Sequence, residues 1–143
     1  MIAAQTNSLS GVIDLAKKSF AFKVPIASFK GFNSPLQRDH FNENYMQSGQ
    51  YPEATFVGKI IEDIDVHTPG RYEVRAKGRF TIHGIVVERM IRGQVTVGPN
   101  NKLELKAAFT VPLADHQILI PRLVSEKLAQ VIAVDMSATL LPE

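Results

Sequence analysis

RYEVRAKGRFTIHGIVVERMIRGQVTV, residues 71–97, decides the fold. From Arg71 to His83 the side chains alternate without a break. Tyr72, Val74, Ala76, Gly78, Phe80 and Ile82 share one side, and Arg71, Glu73, Arg75, Lys77, Arg79, Thr81 and His83 the other. Successive side chains of a strand point to opposite faces, so this pattern predicts a strand wet on one face and dry on the other. His83-Gly84 supplies a tight turn, since glycine tolerates positive φ, and a second run follows over Ile85–Val97. Folded about that turn, Ile82 faces Ile85, Phe80 faces Val87, Ala76 faces Ile91 and Tyr72 faces Val95. On the wet face Arg79 meets Glu88, an opposite-charge pair worth roughly 0.2–1 kcal/mol. A register slip of one residue would put every apolar side chain in water.

The same alternation extends outward. Phe20, Phe22 and Val24 alternate with Ser19, Ala21 and Lys23 in a strand ending near Pro25, and Ala54, Phe56, Gly58 and Ile60 alternate with Thr55, Val57 and Lys59. Leu103, Leu105, Ala107, Phe109, Val111 and Leu113 form a long alternating run, as do Ile132, Val134, Met136, Ala138 and Leu140. Gly11–Asp14 and Ile118–Ile120 read as short strands, and Met1–Ser10 as a weak strand or frayed end. Ser34-Pro35-Leu36-Gln37 has the features of a helix start: a capping serine, proline at the first position and a glutamine three residues on. Leu36, His40, Phe41 and Tyr45 follow at helical spacing, and Pro121–Gln130 reads as a second short helix. Seven or eight antiparallel strands joined by tight turns predict an all-β domain with two short helices. Closing the sheet into a barrel would remove its exposed edges. One domain is expected over residues 1–143.

Composition narrows the chemistry. The hydrophobic share is 45%, the charged share 21% and the net charge +2, an ordinary globular balance that argues for no nucleic-acid partner. There is no cysteine, hence no disulfide, no thiolate nucleophile and no cysteine zinc site. No apolar run reaches the roughly 18–20 residues of a membrane-spanning helix. The first ten residues lack a basic stretch followed by an apolar core, so no leader is expected within the chain as it stands.

Several blocks carry a resemblance. His40-Phe41-Asn42-Glu43-Asn44-Tyr45-Met46, then Tyr51-Pro52-Glu53-Ala54-Thr55-Phe56 and Gly58, resemble the signature of the YceI-like family. So do Thr81-Ile82-His83-Gly84, Ser10-Gly11-Val12-Ile13-Asp14, Phe20–Ile26, Ile120-Pro121 and Leu128-Ala129, in the right order over most of residues 10–141. The resemblance implies an extended, antiparallel, lipocalin-like β-barrel whose interior binds a polyisoprenoid, quinone or similar long-chain lipid. It also implies a bacterial, periplasmic location. Family members usually carry additional N-terminal sequence that supplies the first strand, whereas only ten residues precede Gly11 here. The expectation is a seam in the barrel, or completion of that edge by a neighbouring chain as in a homodimer.

Candidate functional residues fall into three groups. Phe20, Phe22, Phe56, Tyr72, Val74, Phe80, Ile82, Leu105, Phe109 and Met136 are expected inside the barrel, where they either line a lipid site or fill the core themselves. Periodicity does not separate the two readings. Arg89 falls by parity on the same dry face, opposite Gly78. It either meets the polar head of a lipid or snorkels past the turn to solvent. His40, Asn42, Glu43, Asn44 and Tyr45 form the densest polar block. It either anchors a helix and loop or, with His40 and Glu43 as base and orienter, serves an enzyme or stress-response factor acting on a small amphiphile. No nucleophile motif accompanies it. His40, His67, His83 and His116 lack the short paired spacings of a metal site, and His83 is expected to bond backbone in its turn. Arg71, Arg75, Lys77, Arg79 and Arg92 form a basic stripe that is either a solvated outer face, the reading that Glu73 and Glu88 favour by interrupting it, or a docking surface for an anionic membrane or nucleic acid, of which transient membrane contact is the one kept. The sequence thus points to non-enzymatic sequestration or transport of a lipid, with no cofactor and no metal. A purely structural module with a filled core stands as the further alternative.

Overall fold

The computed structural model describes residues 2–14, 16–30, 38–39, 42, 46–65, 68–99, 102–118 and 131–140. Eight strands form one sheet: β1 Ile2–Thr6, β2 Ser10–Asp14, β3 Ser19–Pro25, β4 Glu53–Ile60, β5 Gly70–Ile82, β6 Ile85–Val97, β7 Leu103–Pro112 and β8 Val131–Leu140. Their order is β1-β8-β7-β6-β5-β4-β3-β2. Every pair is antiparallel except β1 with β8. The expected all-β, lipocalin-like barrel is the observed architecture.

The central hairpin forms in the register the alternation demands, with Ile82 opposite Ile85, Phe80 opposite Val87 and Tyr72 opposite Val95. At its tip His83 has φ 57° and Gly84 φ 74°. A two-residue turn with positive φ at both positions matches the right-handed twist of the strands it joins. Histidine is among the non-glycine residues that enter this region most readily. Arg79 and Glu88 are register partners. They form no ion pair, however, whereas Lys18–Asp63 and Arg75–Glu62 do. On a solvated face two long side chains gain too little from pairing to be held in one geometry.

The N-terminal stretch does more than the sequence suggests. Six antiparallel steps lead from β8 round to β2, so β2 runs the same way as β8, and β1 is parallel to β8. β1 and β2 are therefore two halves of one strand, broken at Asn7–Leu9. The first half hydrogen-bonds to β8 and the second to β3. The two ends of the sheet make no ladder with each other, which is the expected seam, and the chain itself spans it. Thr6, buried at the break, holds the crossover. Ser28 donates its hydroxyl hydrogen to the Pro25 carbonyl at 2.6 Å, so Thr6 must donate to Ser28 Oγ at 2.7 Å. Thr6 Oγ1 in turn accepts from the Ser8 amide at 3.1 Å.

Two other expectations change. Ile118 is buried but lies in irregular chain, after a 3-10 turn at Leu113–His116, so it does not belong to a strand. Among the described residues the 3-10 turns Ile26–Ser28 and Leu113–His116 are the longest helical pieces. The predicted helices after Ser34 and over Pro121–Gln130 lie almost wholly outside the described residues.

Inside the barrel the apolar side chains gather in two clusters. One, around Phe80, Ile82, Ile118 and Met136, lies toward the His83-Gly84 turn. The other, around Phe20, Val74, Val97 and Leu103, lies toward the opposite end, and Phe56 packs against both.

Candidate binding cavity

The dry faces of β3 to β8 do not fill the barrel. A cavity of about 100 Å³ lies between Leu9, Ile13, Phe20, Phe22, Phe56, Ile60, Val74, Ala76, Ile91, Val95, Leu105, Ala107, Phe109 and Met136. It exists because small residues stand on the dry face of three adjacent strands: Ala76 on β5, Gly93 on β6 and Ala107 on β7. Gly93 and Ala107 are register partners, and Met136 pairs with Ala107 from the other side. The polar residues on this wall, Gln94 and Lys106, contribute backbone. The Gln94 side chain donates to Glu73 at 2.8 Å on the outer face, and Lys106 is exposed. A second, smaller cavity of about 30 Å³ lies toward the hairpin tip, among Val24, Ile26, Phe29, Met46, Ala54, Phe80, Ile82, Val111, Ile118, Ile132, Val134 and Met136. Phenylalanine rings run in series across the interior. Phe22, Phe20, Phe56, Phe80 and Phe109 are each 5.0–5.7 Å from the next.

Of the residues expected inside, Phe20, Phe22, Phe56, Val74, Leu105, Phe109 and Met136 line the larger cavity, while Phe80, Ile82 and again Met136 line the smaller. Tyr72 lines neither. Its hydroxyl lies 3.2 Å from the Thr68 carbonyl and 3.3 Å from that of Asp65, tying the ring to the loop before β5. Ala76, Ile91, Gly93, Val95 and Ala107 were missed as wall residues, although the parity of their strands places all of them on the dry face. Leu9 and Met46 carry no comparable signal, because each reaches the interior from irregular chain.

Arg89 does not extend past the turn. Its guanidinium lies 5.8 Å from the centroid of Phe80 and 5.4 Å from that of Phe109, and Nη2 donates to the Thr110 carbonyl at 2.8 Å. Gly78, its register partner, leaves the room. Nη1 is buried without an acceptor. Burial pushes the guanidinium pKa down, and the carboxylate of Asp115 pulls it back up.

His116 is wholly buried beside the same ring, 5.9 Å from Phe80. A carbonyl only accepts, so the 2.9 Å contact to Ile85 O requires that Nδ1 carry the hydrogen. Nε2 has no partner. Burial holds the imidazole below its ordinary range, assisted by the positive charge of Arg89. The carbonyls of Ile85 and Ile82 and the charge of Asp115 oppose the shift. His116 is therefore a neutral latch beside the tip of the hairpin, a role no motif announced.

The remaining polar candidates among the described residues line neither cavity. His83 bonds the side chain of Gln47 rather than backbone, with the Tyr51 ring 4.6 Å away. Positive φ turns its ring toward that loop. Asn42 accepts from the Ser48 amide through its carbonyl at 2.7 Å. His40, Glu43, Asn44 and Tyr45, and likewise His67, lie outside the described residues. Arg71, Lys77, Arg79 and Arg92 are exposed on the outer face. Arg75 instead binds Glu62 through its amide at 2.8 Å and its Nε at 3.2 Å. Burial raises the Glu62 carboxyl, but these bonds and the charge of Arg75 outweigh it and hold the group below its usual range.

A family model described as YceI-like domain matches residues 2–140. The fold is similar to that of a YceI protein from Campylobacter jejuni, 17% identical, over 100% of this chain and 86% of that one, with a TM-score of 0.70. It is similar also to BcnA from Burkholderia cenocepacia, 17% identical over 87% and 75% of the two chains, TM-score 0.63. A polyisoprenoid binding domain from Saccharophagus degradans is 13% identical over 77% and 64%, with a TM-score of 0.60. No curated protein matches the sequence.

Proposed function

Because the chain belongs to the YceI-like family, we propose that it binds the tail of a long-chain isoprenoid-type lipid inside its barrel and sequesters or carries it, without performing chemistry. One observation carries this reading: the larger cavity is walled by apolar side chains from seven strands, and among the described residues no charged side chain turns into it. Such a wall gains roughly 25 cal/mol for each Å² of tail removed from water and selects little beyond apolarity and shape. The polyisoprenoid binding of the Saccharophagus degradans domain, which shares the fold, supports the same ligand class. Arg89 supports an amphiphile rather than a plain hydrocarbon. A buried guanidinium N–H without an acceptor costs free energy, and the oxygen of a lipid head would supply one. Export to the periplasm belongs to this reading on family grounds.

The test is mass spectrometry of the purified protein, native and after organic extraction. The expected result is a co-purifying species with a long apolar tail and an oxygen-bearing head, near one per chain. A clean apo mass, together with no uptake of added isoprenoid alcohols or quinones, overturns the reading and leaves a structural module.

A further inference from the structure

Among the described residues the two cavities have one wall residue in common, and it is Met136. Resting on the carrier reading above, we propose that Met136 is a movable partition that sets the length of tail the barrel admits. A short tail occupies the larger cavity alone. A longer one displaces the thioether and occupies both cavities.

Three observations support the partition. First, neither cavity alone approaches the roughly 300–1,000 Å³ of an ordinary ligand site, so a long tail enters only if an interior side chain moves. Second, methionine is the side chain best suited to move. It is unbranched, rotates about three bonds and fills irregular gaps. Third, its neighbours leave it room. Across the sheet Met136 pairs with Ala107 on one side and Thr6 on the other, and Ala138 follows it on the same face of β8. Phe80 and Phe109 flank the two chambers but contact each other at 5.7 Å, and the Arg89 guanidinium lies on both rings. The aromatic walls are thus braced, and the methionine is not.

The experiment compares delipidated wild type with two variants, using calorimetric titration of geraniol, farnesol and geranylgeraniol, each one isoprene unit longer than the last. Met136→Ala removes the partition. Met136→Ile keeps most of its volume but is stiff at χ1 and suits a strand, so this variant is expected to fold even if the alanine variant does not. Geraniol should bind all three proteins within about threefold. Geranylgeraniol should bind the alanine variant about tenfold tighter than wild type and the isoleucine variant about tenfold weaker, each tenfold step being resolvable by titration. Parallel length profiles, with any change the same for every alcohol, overturn the partition while leaving the carrier reading intact. A folded wild type that binds none of the alcohols overturns the carrier reading itself, and the partition with it.

Discussion

At the scale of the residue, His116 shows how one buried group couples the fold to pH. Its imidazole is held neutral, so its folded pKa lies below the ordinary value of 6.5. The unfolded chain then binds more protons wherever the pH is below that value, and stability rises with pH through this window. The contribution is complete above about pH 6.5 and is lost as pH falls below it. Urea unfolding of the wild type should therefore show a falling midpoint between pH 8 and pH 5. His116→Leu should flatten that slope while costing about 1–3 kcal/mol at pH 8, because the Ile85 carbonyl loses its donor. An unchanged slope would assign the pH dependence elsewhere. Nothing in Leu113-Ala114-Asp115-His116 marks the last residue for burial. Arg89 was legible, since parity put it on the dry face opposite a glycine. Its rest position on two phenylalanine rings was not, because those rings come from β5 and β7 while Arg89 stands on β6.

At the scale of the element, the strands bend where glycine lets two backbones close in. Gly58 and Gly78 are register partners on β4 and β5. A Cβ on Gly78 would stand 2.3 Å from the Val57 carbonyl oxygen, and one on Gly58 would stand 2.1 Å from that of Lys77. Both obstacles are backbone, so neither yields by a rotamer change. Gly78→Ala should cost about 1–3 kcal/mol in chemical denaturation, as overpacking does. Gly49→Ala, with open space around its Cβ, should stay within about 0.5 kcal/mol of wild type. The alternating strands were readable because period two survives any environment with one dry face. β1 was not, since its pairing with β8 joins residues more than a hundred positions apart and rests on a parallel ladder with no turn to announce it.

At the scale of the whole molecule, a barrel of about eight strands stands at the size where side chains either fill the interior or leave space for one small ligand, and this one, with β1 and β2 as halves of one strand, falls there. Here Ala76, Gly93 and Ala107 tip it toward space. Ala76→Leu should fill part of the larger cavity, leave the melting temperature unchanged or a few degrees higher, and weaken isoprenoid uptake about tenfold or more, as measured by the same titration. Equal uptake by the variant would move the binding site out of this cavity. The all-β class, the faces of the strands and the register of the central hairpin follow from the order of residues along the chain. Those properties depend on neighbours along the chain: alternation selects the dry face, and the His83-Gly84 turn sets which residues oppose. The fold in three dimensions adds that one N-terminal strand splits to serve both ends of the sheet, that Thr6 holds its crossover while His116 latches the central hairpin, and that two interior cavities meet at Met136. Each of these depends on volumes and hydrogen bonds between residues from distant strands. Local periodicity counts which side chains point inward but carries no measure of how far apart their tips stand.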